Sequence, residues 1–300
     1  MSAWLVSLEG SDAGRTAAML LALTAAFLHA VFGALQKGRH DPWLSRGAID
    51  GWVFVMAIPM ALFLVPRPQG VQWLLILGAL PIHFTYKLGM ALAFSRGAYT
   101  VVYPVVRGTG PLFTVIGAYL IFGEVFAPLQ WMGVALLLGG IYGLAAYNMR
   151  HVDVGRDTLV AALGLAVGTG ALVALYTTYD AYGIRATPDP FTFLAWFFLI
   201  TAVDFPVLAL LRYRALPNPP AAGPLLRRGF IGALVAFGSF GSVMMATRLD
   251  KVGEAAVLRE TSTVFAAAIG WIALKETVGP RRLVLMTLIA AGAVIVELGG

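Results

Sequence analysis

The sequence predicts an all-α polytopic membrane protein in which ten transmembrane helices form two inverted five-helix repeats. Three observations carry that prediction: the composition, a succession of long apolar runs, and a similarity between the two halves of the chain at a nearly fixed spacing. Of 300 residues, 59% are hydrophobic before the 34 glycines are counted, and only 12% are charged. Soluble chains carry about a quarter charged residues and under half apolar ones, so this composition cannot supply a water-facing surface. At about 20 residues per spanning helix, the length accommodates roughly ten spans and leaves almost nothing for a folded extramembrane domain. A soluble enzyme, a DNA-binding module and a secreted disulfide scaffold are thereby excluded. The chain has no cysteine, which removes thiol nucleophiles, thiolate-held metal centres and disulfides together. Its formal charge of +6 would suggest nucleic acid in a soluble protein. In a polytopic membrane protein the same excess reflects Lys and Arg gathered in cytoplasmic loops, and no nucleic-acid partner is expected.

Apolar runs bounded by charge, proline and glycine place the spans near 16–37, 47–65, 72–95, 98–122, 128–149, 157–180, 191–212, 226–248, 253–275 and 281–298. The runs are long and continuous rather than alternating, which excludes a membrane β-barrel. Glu9 and Asp12 stand where a secretory signal would have its basic start, so the first span is read as the mature first helix. Trp52, Trp73, Trp131 and Trp271 fall near span ends, where interfacial belts form. The longest polar interruption, Arg212 to Arg228, contains Pro217, Pro219, Pro220 and Pro224 and reads as an extended linker.

A shift of 152 superposes Arg107 on Arg259, Thr109 on Thr261, Phe113 on Phe265, Glu124 on Glu276 and Gly140 on Gly292. The fourth span therefore repeats as the ninth. At a shift of 147, His29 and Phe32 of span one fall on Tyr176 and Tyr179 of span six. The chain divides into repeats 1–152 and 153–300 with five spans each, and an odd number makes the second repeat enter the membrane upside down, the plan of many secondary transporters. With Lys87, Arg107 and Arg259 set aside as intramembrane, five basic residues lie on the amino-terminal side and thirteen opposite. The positive-inside rule then leaves both termini on the non-cytoplasmic side of an inner (plasma) membrane.

A charge near the bilayer centre costs about 2.5–3.5 kcal/mol on insertion scales, so an arginine there needs a partner, water or a ligand. Arg107 lies about eight residues into span four, roughly 12 Å, and Arg259 about six residues into the oppositely directed span nine. The pair is expected to bracket the midplane. Pro104 and Pro111 around Arg107 withdraw the usual partners of the carbonyls of Thr100 and Arg107, so a backbone break is expected there, with Gly108 and Gly110 permitting close approach by a ligand or a helix. Tyr103 and Ser262 sit beside the two arginines in sequence. His29, Gly33 and Gln36 share a face of span one, Tyr176, Tyr179, Asp180 and Gly183 a face of span six, and His83 and Lys87 a face of span three. Lys87 either adds a third positive group to the cavity or snorkels to the interface. Glu260, Asp180 and Asp204 are the acids deep enough for proton coupling. Glu124 and Glu276, at helix ends, read as interfacial markers. Arg259 and Glu260 are about 100° apart on a helix, so one faces a cavity while the other pairs with a different span.

These residues resemble the EamA-type branch of the drug/metabolite transporter superfamily. The resemblance runs through Leu28-His29-Ala30 and Gly33 to Lys37, Ala91 to Ala98, Val101 to Pro104, Arg107 to Leu112, Tyr176 to Asp180, and Leu258 to Ser262 with Phe265-Ala266-Ala267 and Lys275-Glu276. It covers nearly the whole chain. The sequence departs from the family's usual residues at Phe32, where a Trp is usual, and at Lys275, where a Gly is usual. The resemblance implies export or exchange of small metabolites, amino acids or drug-like compounds. On separate grounds Arg107 and Arg259 favour an anionic or zwitterionic cargo, because guanidinium binds carboxylate or phosphate bidentately.

The expected function is therefore secondary transport by alternating access, with substrate held by Arg107, Arg259, Tyr103, His29, Lys87, His83, Tyr176, Tyr179 and Ser262. No catalytic residue, metal or cofactor is called for, and the partners are the small-molecule substrate and membrane lipids, in a monomer or homodimer. The competing reading is a non-transporting membrane subunit or interaction protein whose buried ion pairs merely lock helices together. An intramembrane enzyme lacks support, since neither a zinc-binding His-Glu-x-x-His nor a Gly-x-Ser-x-Gly nucleophile elbow occurs.

Overall fold

The computed structural model describes residues 2–36, 41–96, 99–149, 156–272 and 279–300. A short helix α1 (Ser2–Ser7) precedes α2 (Asp12–Gln36), α3 (Pro42–Pro59), α4 (Val71–Arg96), α5 (Tyr99–Phe122) and α6 (Pro128–Met149). Then come α7 (Arg156–Ala186), α8 (Pro190–Thr201), α9 (Asp204–Ala215), α10 (Ala222–Leu249), α11 (Val252–Arg259), α12 (Ser262–Ile272) and α13 (Pro280–Leu298). Among the described residues every regular element is helical. The expected repeat boundary at 152–153 lies outside them, as do Lys37, Lys275, Glu276 and the side chains of Gln36 and Trp271.

Eight segments are long and apolar enough to cross a membrane, and Leu283–Leu298 is a shorter apolar helix. The expected ninth span is divided into the pair α11 and α12, so of the ten expected spans eight meet the length and hydropathy of a crossing helix among the described residues. The second span starts at Pro42, five residues before the expected 47, because Asp41 caps it: its carboxylate accepts from the N–H of Trp43 (2.9 Å) and Leu44 (3.3 Å), with Pro42 in the first turn. Partial burial would raise the Asp41 carboxyl, but the Arg212 guanidinium and these N–H groups outweigh it and hold the group below the usual carboxylate range. Asp189 and Pro190 start α8 in the same way.

The backbone break expected around Arg107 is absent: α5 runs unbroken through Pro104 and Pro111. Of the eight segments it is the most enclosed, with 56% of its apolar window buried, and it packs on α6, α7 and α11. Membrane helices tolerate proline where neighbours hold the segment in place. The breaks fall instead in the second repeat. Between α8 and α9, Phe205 N–H turns to the Asp204 carboxylate (2.6 Å) rather than to the Thr201 carbonyl four residues back, and Pro206 has no N–H for Ala202. Between α11 and α12, the N–H groups of Glu260, Thr261 and Thr263 each reach back only three residues, and the hydroxyls of Thr261 and Thr263 turn onto the Leu258 and Glu260 carbonyls. Such tightened turns and hydroxyl bonds compete with the α-helical ladder.

Helix pairing follows an exchange of repeats. α2 packs on α10 as α7 packs on α4, α5 packs on α7 as α11 and α12 pack on α2, and α6 lies against its own counterpart α13. That last crossing is set by glycines: a Cβ on Gly133 would lie 2.7 Å from the Gly292 carbonyl, and one on Gly140 2.7 Å from that of Leu285. Side chains facing away from these contacts are apolar and exposed, among them Phe63, Leu74, Leu120, Leu211 and Leu298, as lipid contact requires. Of the tryptophans expected at span ends, Trp131 is exposed. Trp52 donates to the Leu226 carbonyl and Trp73 packs edge-on against buried Trp196.

Candidate functional site

Both breaks leave a carbonyl without its helical partner, and in each case a buried cation from the first repeat takes it. At α11–α12 this is Arg107, whose guanidinium donates to the Arg259 carbonyl (3.2 Å) and to Ser262 Oγ (3.0 Å). Its Nε lies 2.8 Å from Glu260 Oε2, close enough for an ion pair though out of line for a hydrogen bond. Tyr103, one turn earlier on α5, sets its ring 5.9 Å from the guanidinium carbon and its hydroxyl 3.2 Å from His29 Nε2. Arg107 and its repeat mate thus touch directly. Glu260 is the residue that turns to another span, and Arg259 turns the other way.

Arg259 is 5% exposed. Its side chain makes no hydrogen bond or ion pair among the described residues, and its guanidinium carbon lies 5.3 Å from the centre of the Phe240 ring. It lines a hollow with Tyr176, Asp180, Phe240, Met244 and Thr247, large enough for about one ordered water. In the same lining, Asp180 Oδ2 accepts from His83 Nε2 at 2.8 Å while Oδ1 makes no hydrogen bond among the described residues. Aromatic rings close the surroundings: His83 is 4.8 Å from Tyr176, 4.9 Å from Phe197 and 5.7 Å from Phe240, and Tyr86 is 4.8 Å from Tyr176.

At α8–α9 the cation is Lys87. Its ammonium donates to the Thr201 carbonyl (2.8 Å), Asp50 Oδ2 (3.0 Å) and Asp204 Oδ1 (2.6 Å), and Arg46 approaches the other Asp50 oxygen at 2.9 Å. All three ammonium donors are used. Lys87 therefore neither snorkels nor faces the hollow, and Asp204 is bound into the same knot. Tyr179 lies on a different side of α7 from Tyr176 and Asp180, and its hydroxyl donates to the Leu74 carbonyl (3.4 Å) beside Gly78. Gly108 and Gly110 serve helix packing: a Cβ on the first would meet Tyr142 at 2.9 Å and on the second Val173 at 3.0 Å. Glu124 is more than an interfacial marker, since it accepts from the Val252 (2.8 Å) and Gly253 (2.9 Å) N–H groups at the start of α11.

The expected residues thus divide. His29, His83, Tyr103, Arg107, Tyr176, Asp180, Arg259, Glu260 and Ser262 meet around the second break, whereas Lys87 and Asp204 belong to the first and Tyr179 to neither. The sequence reading missed Phe240, Tyr86, Asp50 and Arg46. The spacing of Arg46 and Asp50, four apart, was the available signal for the last two. Among the described residues no three carboxylate or imidazole side chains gather as a metal ion would need.

A chain whose described elements are all helices, with exposed apolar surfaces suited to lipid, two repeats that interlock, and ionic groups buried on the seam, is a membrane protein of the small-molecule transporter class. It belongs to the EamA-like transporter family, which matches twice, over residues 16–146 and 160–298. No curated relative matches this chain. A crystal structure described only as that of a protein is similar at a TM-score of 0.75, covering 94% of this chain and 98% of that one at 18% identity, a likeness of fold alone.

Proposed function

We propose that this chain is a secondary transporter of a small anionic or zwitterionic organic metabolite, working by alternating access between inverted repeats of five spans in a plasma membrane, with both termini on the non-cytoplasmic side. Arg259 carries the reading. A buried charge without a partner costs several kcal/mol, so a guanidinium that finds no acceptor among the described residues is poised for a carboxylate or phosphate brought from outside. The water-sized hollow supports an occluded conformation, and substrate enters when the repeats part along the seam. Tyr176 lines the same hollow, and Tyr103, Ser262 and, through Tyr103, His29 surround the neighbouring Arg107.

Flux in proteoliposomes tests it, with labelled lactate and L-alanine as probes. R259Q is expected to reduce flux more than tenfold, and unchanged flux would overturn the assignment. The second reading, a non-transporting membrane subunit or interaction protein, draws on the Lys87 knot, where the protein meets its own buried charges. It requires that neither probe cross the bilayer at any driving force.

A further inference from the structure

The hollow carries two buried groups of opposite sign that face the same space without a hydrogen bond between them: Arg259, whose Nε is unbonded, and Asp180, whose Oδ1 is unbonded. The neighbouring charges are committed elsewhere. Glu260 pairs with Arg107, and the Asp50–Asp204 carboxylates hold Lys87. A zwitterion satisfies both open groups at once, its anionic end on Arg259 and its ammonium on Asp180. A plain anion does not. Docked against Arg259 once the repeats have parted, it brings a second negative charge to the site that holds Asp180, and two carboxylates sharing one dry site do not both remain ionised.

His83 supplies the remedy. The Nε2–Oδ2 bond to an ionised Asp180 puts the imidazole hydrogen on Nε2, which leaves Nδ1 to receive a proton. One proton from a hydronium ion, added at Nδ1 with release of water, converts a pair of net charge −1 into a neutral one without breaking its hydrogen bond. The groups around the pair are Arg259 of α11, Tyr176 of α7, Phe197 of α8, Phe240 of α10 and Tyr86 of α4. None of these offers a further negative charge that would hold the proton when the hollow is empty.

We infer that the His83–Asp180 pair takes up one proton when an anion lacking its own ammonium docks on Arg259, so that the proton stands in for the positive charge a zwitterion brings with it. The inference rests on the proposed anion-binding role of Arg259, and the test separates the two. Lactate and L-alanine are near-isosteric and differ in hydroxyl against ammonium. Their affinity for the purified full chain is measured by thermal shift between pH 5.5 and 8.5. Lactate binding should weaken as pH rises, on the order of tenfold per unit across the titration of the pair, while L-alanine binding stays flat. D180N, which still accepts from His83, should bind lactate equally at both ends of the range and lose L-alanine. A pH-independent lactate affinity in the wild type, abolished by R259Q, would overturn the proton linkage and leave the Arg259 reading standing. Lactate binding unchanged in R259Q would overturn that reading itself, and no binding of either probe to the wild type would overturn both.

Discussion

The two breaks in the second repeat are built alike and completed differently. In each, a carbonyl released from its helix accepts from a first-repeat cation, Lys87 on Thr201 and Arg107 on Arg259. Around Lys87 the protein adds two carboxylates and Arg46, so the knot is closed from within. Around Arg107 it adds one carboxylate, Glu260, and leaves a second guanidinium facing a hollow. The difference teaches how a membrane interior separates structure from function. A buried cation whose donors are all met is a strut, and one left open in an enclosed hollow is a place for cargo.

Breaking the strut should have the largest effect. K87M strands Asp204 and leaves Asp50 with Arg46 alone, and should lower unfolding stability in detergent by about 3–5 kcal/mol, whereas R259Q, which removes a charge that makes no ion pair, should cost little or stabilise. Equal losses for the two variants would erase the distinction. E260A leaves Arg107 with the Arg259 carbonyl and Ser262 but without its counter-charge, and a loss of about 3 kcal/mol is expected. Chemical denaturation of the same preparations measures it. G170A sharpens the comparison from the packing side: its Cβ would lie 2.6 Å from Thr109 Cβ, prising α7 from α5 beside Arg107, for a loss of about 1–3 kcal/mol.

The smallest effect falls at the end of the seam, where Arg212 of α9 holds Asp41 ahead of α3 at 2.6 Å. Because the folded carboxyl lies below its unfolded value, its contribution is present at neutral pH and lost as pH falls through the folded value. Stability of the wild type should therefore decline below about pH 4. D41N keeps an N-cap but gives up the charge facing Arg212, so it should lose at most about 1 kcal/mol at neutral pH and show a flatter acid limb in thermal melts.

Much of the site was legible because charge inside an apolar run is conspicuous. Arg107, Arg259, Glu260, Asp180, His83 and Lys87 announce themselves by the cost of placing them, and the spacing of 152 between the arginines marked the repeat. Their partners were not legible. Lys87 and Arg107 look equivalent in sequence, each a cation in a span, and only the positions of Asp50, Asp204 and Glu260 in space separate strut from site. Phe240 stood among 18 phenylalanines with nothing to single it out. Proline misled in α5, where packing on three helices overrides it, and was informative but unread at Pro206, where it follows the Asp204 that opens α9.

The sequence by itself determined the solvent, the approximate spans, the repeat and the identity of the buried charges, because each follows from the transfer cost of single side chains summed over local windows. Tertiary structure decided which helices break and which buried charge remains open. Those outcomes depend on hydrogen bonds between residues more than a hundred positions apart, as with Lys87 and Thr201 or Arg107 and Ser262, and no local window contains both partners.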